Sequence, residues 1–384
     1  MNKGYKYLTM LGHLCTDINQ GALPAIIPFL VLSHNLSYAA AASVFFAANL
    51  VSSVIQPYFG FLGDKYSMPW LMSLGMVLAG SGIALIGIAP SYLAILGASA
   101  ISGIGIALFH PEGGKIANFV AGDRKGTGLG VFLIGGNFGF VFGPILATTA
   151  IVFWGLRGTL VFLIPVFVMG TILLFFTSKF KEICVTESKT RNERIESGQV
   201  DDWNGFSKVA IVISFRSIIQ YSLLAFIPLY FINVFSQSEA TANTNLTIFL
   251  FAAAVSTIIG ARISDDIGFR RLIRITFFAM APLLFLMLQT NNSVIALVLV
   301  ALAGASMNSS AGTLVAMGQA TMPNRIGLAT GITLGLAVSV GGVFAPLIGL
   351  VGDNFGLITA MYTIVGITFV AWLLTLILPE ERKA

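Results

Sequence analysis

Apolar runs about 20 residues or more in length, separated by short polar turns, recur from one end of this chain to the other, and each is long enough to cross a hydrocarbon core as a helix. Twelve such stretches are predicted, at 6–32, 38–64, 69–89, 91–119, 126–151, 157–178, 205–234, 240–264, 270–289, 292–320, 325–350 and 356–378. The short alternating segments of a membrane barrel are absent from the sequence, so the backbone must be satisfied within helices. One polar interval, 179–204, carries charges of both signs without apolar periodicity. It separates a first half, 1–178, from a second, 205–384. The expected class is an all-α membrane protein of twelve transmembrane helices in two six-helix halves.

Composition agrees with that pattern. Of 384 residues, 56% are hydrophobic and only 10% charged, and the mean hydropathy is +0.90. A soluble chain carries roughly 25% charged residues, so this one lacks the polar surface to stay in water. The 41 glycines cluster inside the apolar runs, where small residues let membrane helices approach closely. Cys15 and Cys184 read as free thiols rather than a disulfide.

The net charge of +5 does not indicate nucleic-acid binding. One alternate set of loops and ends holds Lys3, Lys6, Lys65, Arg124, Lys125, Lys189, Arg191, Arg194, Arg270, Arg271, Arg325, Arg382 and Lys383, and the other holds Arg157. Positive residues stay on the cytoplasmic side, which puts both termini there. Residues 1–7 lead straight into a long span and show no small-residue cleavage pattern, so no removable signal is read. The sequence has no phosphate-cradling loop for ATP-driven pumping, no His/Cys cluster with metal-ligand spacing, and no enzyme motif. The expected partners are the bilayer and a small molecule, with the chain acting as a monomer without cofactor or metal.

The halves repeat. Gly60 to Lys65 after the second stretch aligns with Ala261 to Asp266 after the eighth, and Gly103 with Gly304, at an offset of about 200 residues. Gly143-Pro144 and Ala345-Pro346 keep the same offset. Two six-helix halves related by an axis along the membrane normal are the plan of the major facilitator superfamily. Its signature loop is similar to Gly60, Asp64 and Lys65 here, although Ser67 and Met68-Pro69-Trp70 replace its glycine and basic tail. The second copy keeps Asp265, Gly268, Arg270 and Arg271. A carboxylate at such a helix end can pair with a cation or cap a neighbouring helix N-terminus, making Asp64, Lys65, Asp265, Arg270 and Arg271 candidates for a gate. The bland alternative is a solvated loop.

Ionisable residues inside the apolar runs are the functional-site hypothesis, because a charge at the bilayer centre costs at least about 2.5–3.5 kcal/mol. On the first stretch, His13, Asp17 and Gln20 share one face at 100° per residue. They line a cavity or merely join helices. On the fourth, His110-Pro111-Glu112 puts two titratable groups together, with Glu112 either a proton site or an i,i+3 partner of Lys115. Arg216 and Gln220 share a face of the seventh, and the repeat sets Arg216 at the depth of Asp17. Arg216 pairs with Asp17 or binds an anionic substrate through its planar fork, two readings that can alternate in one cycle. Asn49 and Gln56 on the second stretch and Asn137 on the fifth complete the candidate lining.

The run Gly12 to Gln20 resembles the first helix of the fosmidomycin-resistance family within the major facilitators. So do Gln56-Pro57 through Trp70, Phe109 to Glu112, and Gly135 to Gly139 with Gly143-Pro144. The resemblance implies a proton-coupled efflux antiporter of the bacterial inner membrane, acting on small anionic phosphonates or other drugs. Asp17 and Glu112 would exchange protons, His13 and His110 would assist, and Arg216 would bind the anion. Proton-linked uptake or lipid-related transport on the same scaffold is the nearest alternative. A sensor or channel is a more distant one, since a sensor needs a soluble domain and a channel usually needs symmetry about a pore.

Overall fold

A computed structural model describes residues 3–36, 38–196 and 200–380. Arg382 and Lys383 lie outside them. The described residues fold as helices joined by short turns, with no strand among them. In order these are α1 (Lys3–His34), α2 (Tyr38–Tyr66), α3 (Trp70–Ile86), α4 (Tyr92–Ala121) and α5 (Lys125–Trp154). A 3-10 turn, Gly155–Phe162, leads to α6 (Leu163–Glu196). The second half has α7 (Trp203–Phe235), α8 (Glu239–Ile267), α9 (Phe269–Gln289), α10 (Ser293–Ser309), α11 (Ala311–Thr321), α12 (Ile326–Gly331), α13 (Ala337–Phe355) and α14 (Leu357–Thr375).

Twelve crossings account for these fourteen segments, because two predicted stretches are each divided. The tenth breaks at Ser310 between α10 and α11. There Ser309 donates back to Ala305 O, and Ser310 donates to Met307 O at 3.2 Å. Such short polar side chains compete with the helical ladder. The eleventh passes through a π-helical turn, Ile332–Leu336, between α12 and α13. The polar interval also differs from expectation, since α6 continues through it to Glu196. Apolar periodicity reports a face to bury, not helicity itself, and Lys179 donates to Glu182 one turn on at 2.9 Å.

By proximity along the backbone the chain forms two compact units, neither of them contiguous. The first holds Met1–Asp123, Val131–Asp201 and Met322–Leu336; the second holds Arg124–Gly130, Asp202–Thr321 and Ala337–Ala384. Each unit thus keeps the opening turns of a helix whose remainder belongs to the other.

In the first unit α5 lies on α1 through Gly135, Gly139 and Gly143, one turn apart. A methyl group at Gly139 would stand 2.8 Å from the Asp17 carbonyl carbon and Cβ. Backbone cannot yield as a flexible side chain can, so Gly139→Ala is expected to cost about 1–3 kcal/mol. A lower midpoint of thermal unfolding in detergent is the check; an unchanged midpoint would show that α1 and α5 are not closely seated. The second unit buries Phe226, Tyr230, Phe231, Phe249, Phe277 and Met280 in one apolar core.

Candidate functional site

The packing of α1 against α4 and α5 brings His13, Asp17 and His110 together, each 3–6% exposed. His13 Nδ1 lies 2.8 Å from the Phe132 carbonyl oxygen. A carbonyl only accepts, so Nδ1 carries the hydrogen. The imidazole is further held by stacking on the Phe132 ring, with centroids 4.0 Å apart. Its other nitrogen therefore faces inward, with Nε2 3.1 Å from Asp17 Oδ2 and 3.1 Å from His110 Nε2. His110 Nε2 is 3.0 Å from Asp17 Oδ1.

A hydrogen on His110 Nε2 satisfies Asp17 Oδ1. Neutral His13 would then present a lone pair to Asp17 Oδ2, lone pair against lone pair at 3.1 Å. A second proton, on His13 Nε2 or on the carboxyl, removes that repulsion. The cluster therefore has its three side chains within hydrogen-bonding distance of one another. Its donor atoms all lie within 4.8 Å of one another, near enough to grip a divalent cation as well. The sequence alone showed no three-ligand spacing because the third donor, His110, comes from a separate helix.

Glu112 belongs to a different set, although it is only two residues from His110. Positions i and i+2 point to different faces of a helix, and Glu112 turns to the end of α2. Its Oε2 is 2.7 Å from Lys115 Nζ, with both side chains 3% exposed. Lys115 also donates to the Gly63 carbonyl at 2.8 Å. The expected grouping of Glu112 with His110 is therefore corrected by geometry: the i,i+3 pair with Lys115 is present.

Asp64 ends α2 and accepts from the backbone N–H groups of Gly327 at 2.7 Å and Leu328 at 2.8 Å, the exposed donors at the start of α12. Asp265 does the same for α5 in the second unit, accepting from Gly126 N and Thr127 N at 2.9 Å each. The Thr127 hydroxyl adds a third donor. Lys65 is exposed, with its ammonium 5.0 Å from the Tyr66 ring centre. Arg270 turns to the far end of α14, donating to Glu380 Oε1 at 3.0 Å and to Leu376 O at 3.3 Å, while Arg271 is exposed.

Arg216, 8% exposed, donates from Nε to Met307 O at 3.2 Å and from Nη2 to Asn308 Oδ1. Gln20 donates to Asn49 Oδ1 at 3.3 Å. Gln56 donates to Ser52 Oγ at 2.8 Å and lies against Gly331 and Gly335 around the π-helical turn. Asn137 and Gln220 are half-buried. Sequence reasoning missed Asn308, whose polar neighbours Ser309 and Ser310 inside an apolar run were the available signal. It also missed the Phe132 carbonyl and the backbone donors of Gly126, Gly327 and Leu328, for which no side-chain signal exists.

Helices of membrane-spanning length carrying buried ionisable groups mark a multi-pass membrane protein. The pattern of the Major Facilitator Superfamily matches residues 9–238 and 209–384, and the chain belongs to that superfamily of transporters. It is 29% identical to the fosmidomycin resistance protein of Escherichia coli (strain K12) over 379 residues, 97% of this chain and 92% of that one. It is also 29% identical to the MFS-type transporter YfnC of Bacillus subtilis (strain 168), covering 99% of this chain and 94% of that one. Among solved structures, the fold matches the transporter FucP with a TM-score of 0.75 at 13% identity, covering 98% of each chain. The proton:xylose symporter XylE matches with a TM-score of 0.75 at 15% identity, covering 99% of this chain and 97% of that one.

Proposed function

We propose that this transporter is a proton-coupled antiporter that exports small anionic drugs or metabolites, phosphonates of the fosmidomycin kind among them, by alternating access. The observation that carries this reading is the buried, closely spaced cluster of His13, Asp17 and His110 in a transporter fold. A carboxylate flanked by two imidazoles can hold or release one proton by changing the charge of a single group. The membrane environment makes that charge change expensive enough to drive a conformational choice. Arg216 supplies the complementary element, a buried guanidinium for an anionic group, with Gln20, Asn49, Gln56, Asn137 and Gln220 as neutral polar contacts. The protein would act as a monomer in the bacterial inner membrane, with its basic loops and both termini cytoplasmic.

Proteoliposomes containing only this chain test the proposal. A fosmidomycin gradient should move protons in the opposite direction, read by an enclosed pH-sensitive dye. Proton movement in the same direction as the drug would make the protein a symporter, and drug movement without protons would end the coupling claim.

Glu112 is the second candidate for carrying protons, and its pair with Lys115 dictates how to test it. Glu112→Gln alone leaves a buried ammonium without its carboxylate, a loss of about 3–5 kcal/mol. The double variant Glu112→Gln/Lys115→Gln removes both charges and is expected to regain most of that stability. If Glu112 carries protons, the double variant folds yet no longer couples drug to proton flux. Wild-type coupling in the folded double variant would leave Glu112 as a structural ion-pair partner.

A further inference from the structure

Three arginines stand within the first two turns of α9, at Arg270, Arg271 and Arg274. The positive end of a helix dipole is an unfavourable place for cations. No acidic residue lies in that first turn, and Gly268 before it offers no side-chain cap. Part of the charge is answered by the end of α14: Arg274 donates to Leu376 O at 2.6 Å and to Thr375 O at 3.3 Å, and Arg270 pairs with Glu380. Arg271 is exposed and donates no hydrogen bond among the described residues. An open groove of about 570 Å³ runs between Gly268, these arginines, Ile267, Ile275 and Glu380. Its lining has one carboxylate against three guanidinium groups.

The surface below the groove is apolar. Along α9, Ile275 is 51% exposed, Phe278 57% and Phe285 45%. These positions follow Arg271 by 4, 7 and 14 residues, so they share its face. Phe278 also meets Trp372 of α14, with ring centres 5.3 Å apart. From Arg271 to Phe278 the helix descends about 10 Å, within one leaflet of hydrocarbon. A cationic groove thus continues without a break into a lipid-facing aromatic stripe.

We propose that this groove is a binding site for one phospholipid with an anionic headgroup. Its phosphate is held by the Arg271 guanidinium and the first-turn N–H groups of α9, and an acyl chain lies along Ile275 and Phe278. The phosphate supplies the anion that the helix end lacks, and basic pockets between membrane helices suit such headgroups. A soluble anion would use the arginines but not the stripe beneath them, so the occupant is a lipid.

The test titrates the purified full-length chain in detergent with phosphatidylglycerol, and separately with phosphatidylcholine of the same acyl chains, counting bound lipids by native mass spectrometry. Phosphatidylglycerol should bind more tightly. A basic residue near a membrane surface contributes about fivefold to anionic-lipid affinity. Arg271→Gln should therefore lose about fivefold and Arg271→Glu about 25-fold, while Arg124→Glu, at an exposed arginine elsewhere, should lose little. Thermal unfolding confirms that each variant is folded, and Arg271→Gln serves if charge reversal impairs folding. Equal binding of the two lipids would overturn the proposal. So would equal losses in the Arg271 and Arg124 variants, or displacement of the lipid by inorganic phosphate at matched concentration.

Discussion

Asp17→Asn is expected to abolish proton-driven accumulation of substrate while leaving the protein folded. Asparagine has nearly the same shape, and its amide can donate to His13 Nε2 while its oxygen accepts from His110 Nε2, the two contacts that aspartate makes at 3.1 and 3.0 Å. All that disappears is the charge that lets the cluster gain or lose a proton. Driven transport should fall at least about 100-fold, the lower end of what a positioned proton-transfer group contributes. Exchange of labelled for unlabelled substrate needs no net proton movement and should persist. Measured side by side in proteoliposomes, loss of both activities would point to a binding or structural role. Driven transport at the wild-type rate, with unchanged pH dependence, would remove Asp17 from the coupling.

The second large effect concerns the helix caps. Asp64 accepts two backbone hydrogen bonds from the start of α12, and hydrogen bonds to a charged group contribute about 1.5–3 kcal/mol each. Asp64→Ala should therefore favour release of that helix end by about 3 kcal/mol or more, a shift of roughly 100-fold in the local equilibrium. Hydrogen exchange of the Gly327 and Leu328 amides reports it directly, and exchange there should rise sharply. Asp64→Asn keeps an acceptor and should give a smaller rise. Asp265→Ala should act likewise on Gly126 and Thr127. Unchanged exchange in both alanine variants would mean the caps do not hold those helix ends.

Much of the fold was legible because membrane helices advertise themselves by length and apolar composition. What the apolar pattern could not report was regularity inside a span. The break at Ser310 and the π-helical turn at Ile332–Leu336 lie within stretches as hydrophobic as their neighbours. The helical extension of α6 to Glu196 was invisible for the opposite reason, since a helix with no apolar face leaves no periodic trace. Within the candidate site, single residues were easier to find than their partners. His13 and Asp17 stood out as ionisable groups one turn apart on one face. That His110 joins them, whereas Glu112 turns to Lys115, follows from which face of α4 meets α1. Arg216 was equally conspicuous, but Asn308, its partner on α10, is an ordinary amide until the helices are packed.

The cap at Asp64 has a consequence for heredity. The Asp64 cap joins a side chain to main chain, so there is no second side chain to exchange. A lost ion pair can be restored by swapping the two charges; a lost cap at Asp64 cannot. The Asp64 cap would leave no compensating swap of charges among descendants of this sequence, because Gly327 and Leu328 answer it through main-chain N–H groups and a Cβ at Gly327 would stand 2.9 Å from Asp64 Oδ1. Revertants of a cap variant should accordingly appear in residues that set how closely the helix end approaches, such as Gly60, whose backbone meets that of Gly327 with no room for a methyl group.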